Sequence, residues 1–380
     1  VQTLENLEMK KTLVAIAALA AFGAQAQSTV TLKGTFDPSV VQQKTTFGGG
    51  YTTSTQGLSN NSQGTSQVTV LGSEDLGGGL KANFLLENDF DATKDATSNI
   101  GSKGGEQFVG LSGGFGAVQF GAPNTPSLDV SNRTPFGTKI GSGFANGGGT
   151  GTGKGTGTYG VQGLGHVREN NSIVYTAPTM SGFTPKIGYQ FNVDAVADVN
   201  GNPAATAAAK ARTDLGLGYV NGPWTAVIAQ YQQKTKYKQT HGYVAYQAGA
   251  LKVTYGFNRD DRQVAGASKA YVAPAAGAGG TYTAGEAGVT ALSVGKLAGQ
   301  NIAADYAVSS NLNLLANYGK LNDKTADNFD RKIAAVGVKY TLSPRTSLYG
   351  RVVSEKLDNV TNTWDKKDIK TSLIGLQHNF

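Results

Sequence analysis

The sequence predicts an all-β fold, a transmembrane antiparallel β-barrel of about sixteen strands, and three features of the chain predict it. Apolar and polar residues alternate with a period of two over segments of roughly ten residues. Tight turn-forming clusters alternate with long polar stretches. No apolar run after the first 26 residues approaches the ~20 that a membrane-spanning helix needs.

Taking the chain in order, Val1 to Glu8 carry Glu5 and Glu8 and read as a start-site extension or cloning scar. Met9-Lys10-Lys11, the apolar run Leu13 to Phe22 and the small-residue site Ala24-Gln25-Ala26 make residues 9–26 a secretory signal peptide. Residues 27–380 are then the exported domain. Removing residues 1–26 takes away Lys10, Lys11, Glu5 and Glu8, so the net charge of +7 is unchanged. That balance fits anionic solutes or an anionic membrane surface, and export removes nucleic acid as the default partner. There is no cysteine, so disulfides do not stabilise the exported chain. A closed hydrogen-bonded barrel does so instead. The mean hydropathy of −0.24 is consistent with such a barrel, because averaging hides alternation.

The strands follow. Leu80, Ala82, Phe84 and Leu86 alternate with Lys81, Asn83, Leu85 and Glu87; Leu251, Val253, Tyr255 and Phe257 alternate with Lys252, Thr254, Gly256 and Asn258. Phe183 to Phe191 and Ala334 to Leu342 repeat the pattern. Seven tight turns join such segments: Asp75 to Gly79, Gly113 to Gly116, Pro178 to Gly182, Asn221 to Pro223, Ala248 to Ala250, Ser309 to Asn311 and Ser343 to Arg345. Seven hairpins plus Val30 to Asp37 and Ile369 to Phe380, paired first with last, close about sixteen strands. Asp91 to Gly105, Ala122 to Val167, Asp194 to Ala211 and Asp261 to Gly299 are long loops on the other side, with Val289 to Leu297 as a possible extra strand. A solenoid needs a fixed repeat that is absent, and a sandwich does not need strands this long or loops this lopsided.

Gly72-Ser73-Glu74-Asp75-Leu76-Gly77-Gly78-Gly79-Leu80-Lys81-Ala82 closely resembles the G-T-E-D-L-G-x-G-L-K-A signature of the general porins of β-proteobacteria. Val30 to Gly34 resembles that family's first strand, Arg168-Glu169-Asn170-Asn171-Ser172-Ile173-Val174-Tyr175 its R-x-N-N-x-I-x-Y strand, and Gly375 to Phe380 its G-x-x-H-x-F end. The resemblance implies a homotrimeric outer-membrane channel for small ions and hydrophilic solutes, surrounded by outer-membrane lipid and lipopolysaccharide. It also implies that the third loop, 122–167, folds inward to narrow the pore, with Thr134 to Gly137 as an apolar packing tip. Phe380 resembles the terminal signal read by the barrel-assembly machinery.

Lipid-facing parity turns Lys33, Lys81, Lys186, Lys252, Lys339 and Arg351 into the lumen, because a Lys or Arg facing lipid at mid-bilayer costs about 2–4 kcal/mol. Asp37 and Glu87 are the chief lumen acids expected on the same strands. A basic wall concentrates anions, so a mild anion preference is expected, with most of these lysines lining the mouth beside the short turns. At the constriction the family places wall arginines against loop acids. Arg168 matches one such position, whereas Gln67 and Glu106 or Gln107 replace two others, which weakens the positive field. Arg168, Lys139 and Arg133 are the expected basic side of the constriction, joined in the loop by Lys154, with Asp129 and Glu106 on the acidic side.

Other chemistry finds little footing. Gly148 to Lys154 reads G-x-x-x-x-G-K, but Gly155 follows where a Ser or Thr is required. His166, His241 and His378 have no metal-ligand spacing. No serine partner can be placed beside His241 for a barrel hydrolase. No cofactor, no metal and no catalytic turnover are therefore expected. An adhesive barrel plugged by Asp261 to Gly299 is the alternative.

Overall fold

A computed structural model describes residues 29–94, 104–131, 136, 139–142, 168, 170–191, 211–233, 237–262, 266–270, 288–292, 295–324, 329–359 and 366–380. The expected extension and signal peptide lie outside the described residues, as do Arg133, Lys154, His166 and the glycine stretch around Gly148.

The strands are β1 (Thr29–Phe36), β2 (Pro38–Phe47), β3 (Thr52–Asn60), β4 (Gln67–Gly77), β5 (Leu80–Asp89), β6 (Gln107–Gly113), β7 (Gly116–Ala122), β8 (Ser172–Thr176), β9 (Phe183–Gln190) and β10 (Arg212–Asn221). They continue with β11 (Trp224–Gln233), β12 (Tyr237–Ala248), β13 (Leu251–Arg262), β14 (Gly266–Ala270), β15 (Gly288–Leu292), β16 (Gly295–Ala307), β17 (Leu312–Asp323), β18 (Phe329–Ser343), β19 (Thr346–Asn359) and β20 (Lys367–Asn379). One short helix, α1 (Pro126–Ser131), follows β7.

Eighteen of these segments share one closed antiparallel sheet. β1 and β2 are a single wall strand broken only at Asp37, and β3 and β4 are its partner, broken over 61–66; merging each pair leaves sixteen wall strands. The barrel closes where β20 pairs with β2 from Ser39↔Gly375 to Phe47↔Lys367, and with the end of β1 at Thr35↔Asn379. All seven expected tight turns join consecutive strands. Gly77, Gly78 and Gly79 carry positive φ in the first of them, a backbone that other residues adopt with difficulty.

The first wall strand is longer than the expected Val30 to Asp37. Gln42 to Thr46 and Thr52 to Gln56 are polar on both faces, so they carry no alternation, yet they pair residue by residue. The expected loop Asp261 to Gly299 is likewise partly strand, since β13 and β16 pair up to Arg262↔Gly295 and β14 and β15 pair with each other as a separate two-stranded sheet.

Burial runs opposite to that of a water-soluble protein. Ile374 is 63% exposed and Val336 60%, whereas Thr69 and Gln239 are fully covered. Exposed apolar side chains all round a closed sheet need a hydrocarbon surrounding. Next to the short turns the outward face carries aromatic pairs, Phe183 with Tyr219 at 4.6 Å and Trp224 with Tyr246 at 4.5 Å between centroids, the girdle expected at a membrane boundary. No helix among the described residues is long and apolar enough to cross a membrane.

Candidate functional site

The two breaks in the first wall pair shape the lumen. Asp37, fully covered at the kink, accepts from the backbone N–H of Gln63 at 2.6 Å and of Gly64 at 2.7 Å, while the Tyr349 hydroxyl donates to its other oxygen at 2.6 Å. One carboxylate therefore holds the 61–66 insertion against β19 on the inner side of the wall.

The segment after β7 meets the same inner side. Arg351 donates to the carbonyls of Ser62 and Ile140 and to Gln63 Oε1 at 3.0 Å, and its guanidinium stacks over the Phe136 ring at 4.9 Å. Asn317 donates to the Gly141 carbonyl at 3.0 Å, and Lys139 Nζ donates to Thr65 Oγ1 at 2.9 Å. Burial pushes the Lys139 ammonium down from its ordinary pKa, with Asp37 and Asp89 opposing the shift. Phe136 belongs to a cluster with Ile333, Ala335, Tyr349 and Val353, all on the inward parity. It fits because position 337 is glycine: a Cβ there would stand 3.0 Å from the ring.

α1 docks on the opposite part of the wall. Val130 packs on Ala229, Tyr243 and Ala245, and Pro126 sits over Gly216, where a Cβ would come within 2.6 Å. Asp214 accepts from the Ser127 N–H at 2.9 Å, a carboxylate at the helix start where it is favourable. Lys186 of β9 pairs with Asp129 of α1 at 3.2 Å.

Beside these contacts lies a cluster centred on Glu87 of β5, which is 7% exposed. Arg168 Nη2 reaches it at 3.1 Å, Gln67 Nε2 at 2.5 Å and the Glu106 N–H at 3.2 Å. Glu106 in turn accepts from the backbone and side-chain amides of Asn124 at 2.9 and 2.8 Å. Three expected constriction residues, Arg168, Gln67 and Glu106, thus converge on Glu87. Asp129 and Lys186 meet each other, and Lys139 lies with the Arg351 group.

Lys33, Lys81, Lys252 and Lys339 face inward, and none forms an ion pair among the described residues. Asp75 and Asp305 stand opposite Lys81 and Lys252 in register and temper that positive mouth. Arg351 differs from expectation: it is inward-facing but only 3% exposed, and it anchors loop carbonyls instead of lining an open mouth. Lys186, also expected at the mouth, is drawn to α1. Sequence reasoning missed Tyr349 and Asp214, whose partners lie far along the chain. Their inward parity was the available signal. Phe380 closes the seam, exchanging backbone hydrogen bonds of 3.0 Å with Gly34 and resting its ring against that glycine.

A sequence profile for Gram-negative porins matches residues 12–360. An outer membrane porin protein of Bordetella pertussis is 30% identical over 402 aligned residues, covering 98% of this chain and 100% of that one. Outer membrane porin protein 32 of Delftia acidovorans is 35% identical over 235 residues, 60% of this chain and 61% of that one. Among solved structures, an anion-selective porin from Comamonas acidovorans superposes with a TM-score of 0.67 at 23% identity, covering 93% of this chain and 100% of that one.

Proposed function

The chain belongs to the family of Gram-negative porins, outer-membrane channels for passive diffusion, and from that premise we propose how its lumen selects. The segment 122–167 folds inward and narrows the channel between the Glu87 cluster and the wall around Arg351. Small hydrophilic solutes and ions cross without turnover, cofactor or energy coupling, and anions are mildly preferred. The observation that carries the preference is an imbalance. The acids Glu87 and Asp129 are each matched by a cation, Arg168 and Lys186, and Glu106 and Asp214 accept from the N–H groups of Asn124 and Ser127, while Lys33, Lys81, Lys252 and Lys339 at the turn-side mouth outnumber Asp75 and Asp305. Fixed charge in a low-dielectric wall raises the local concentration of the opposite ion.

The barrel works as a homotrimer inserted by the barrel-assembly machinery, which reads the strand ending at Phe380. The deciding experiment is the zero-current potential of single trimers in a planar bilayer under a potassium chloride gradient. A potential of anion-selective sign supports the reading. A cation-selective sign overturns the selectivity while leaving the channel, and folded trimers without conductance overturn the open channel.

A further inference from the structure

Over much of the inner wall, leucine and isoleucine on the inward parity are covered: Leu297, Leu315, Ile333 and Leu373 are each no more than 7% exposed. One row departs from this. Leu71 of β4, Leu85 of β5 and Phe108 of β6 stand directly opposite one another in register, three apolar side chains abreast, and each is partly exposed. Their parity is that of Thr69 and Glu87, which meet on the inner side two positions toward the loops. Water at this row finds no polar partner, so an apolar group that covers it gains free energy.

The row floors a recess of ≈ 330 Å³. That lies at the lower end of the range of small-molecule sites, about 300–1,000 Å³. The edge of the recess is polar, with Thr31, Ser73 and Gln119 around it and Asn83 donating to Ser112 Oγ at 2.8 Å. The charges beside it are unequal. Lys33 of β1 lies diagonally across from Leu71, a step of about 7–8 Å that a lysine stem spans. Of the nearest acids, Glu87 is held by Arg168, Gln67 and Thr69, and Asp75 stands opposite Lys81. Lys33 is exposed and forms no ion pair among the described residues.

We propose that this recess binds a small amphipathic carboxylate, an organic anion with an aromatic or compact aliphatic body. Its apolar part rests on Leu71, Leu85 and Phe108, and its carboxylate turns to Lys33. The site rests on the channel reading for its role in transport and extends that reading from hydrophilic ions to organic acids. Because the recess lies on the turn side of the Glu87 cluster, a bound anion waits beside the narrow zone. Such a site helps passage only if it releases as readily as it captures, and a shallow apolar row with one flexible cation meets that condition.

The test is a titration of the purified barrel in detergent with phenylacetate, followed by the ligand's NMR signals and referenced to detergent alone. Acetate keeps the charge without the ring, and benzyl alcohol keeps the ring without the charge. Phenylacetate is expected to bind at least about ten-fold more tightly than acetate, the order expected when part of an aromatic ring leaves water. L71S/L85S/F108S is expected to lose that advantage while keeping its potassium chloride conductance in planar bilayers. Lys33→Gln is expected to lose the preference for phenylacetate over benzyl alcohol. Should the triple variant fold poorly, Leu85→Asn alone is expected to weaken phenylacetate binding several-fold. Equal binding of phenylacetate and acetate, or an advantage that these substitutions leave untouched, overturns the site even where conductance is normal. Folded barrels that bind phenylacetate as expected but do not conduct support the site and overturn the open channel.

Discussion

Gly337 and Arg351 are neighbours across β18 and β19, and together they seat Phe136: the glycine leaves the space and the guanidinium covers it. A Leu at 337 puts side-chain atoms where the ring lies, so G337L is expected to unseat the 136–142 segment. The barrel should still fold, with a larger and noisier single-channel conductance. Tyr349→Phe removes the hydroxyl that donates to buried Asp37, which costs about 1–3 kcal/mol when a buried polar group loses its partner. The expected result is a lower temperature for the shift from folded to unfolded migration on gels, at unchanged selectivity. Arg168→Gln leaves Glu87 without its cation and is expected to move the zero-current potential toward cation selectivity, whereas Glu87→Gln moves it the other way. An unchanged potential in both variants removes the Glu87 cluster from the narrow zone.

The strands were readable where one face meets lipid, because hydrocarbon enforces alternation on every second residue. β5, β9, β13 and β18 carry it, and the seven turns between strands follow from their glycines, prolines and asparagines. β2 and β3 were not readable: Gln42 to Thr46 and Thr52 to Gln56 are polar on both faces, and only backbone pairing identifies them as strand. Constriction residues were partly legible. Inward parity and family resemblance placed Arg168, Gln67 and Glu106, but not their convergence on Glu87, since sequence gives side-chain direction without height across the barrel. Arg351 had the right parity and the wrong surroundings for the same reason. The two docked pieces, α1 and residues 136–142, hang on glycine hollows at Gly216 and Gly337. G216L is expected to lift α1 at Pro126, free Lys186 from Asp129 and raise conductance, which single-channel recording checks.

For the whole molecule, closure rests on contacts between the two ends of the chain. Thr35 donates its hydroxyl to Asn379 at 2.8 Å across 344 positions of sequence, and Phe380 pairs with Gly34. Phe380→Ala is expected to lower the yield of heat-resistant folded barrel in membranes, measured as the fraction migrating unshifted on unheated gels, with the surviving fraction conducting normally. The seam also has a temporal meaning. A chain emerging from the ribosome cannot form its first wall strand's closing partner until the last dozen residues exist, so there is no partial barrel with its edges satisfied along the way. The seam joins residues 344 positions apart, so its closure is won against a large loop-closure entropy and comes slowly. A message cut short anywhere before β20 yields a sheet with two open edges, and quality control has only to recognise an edge to recognise an incomplete copy.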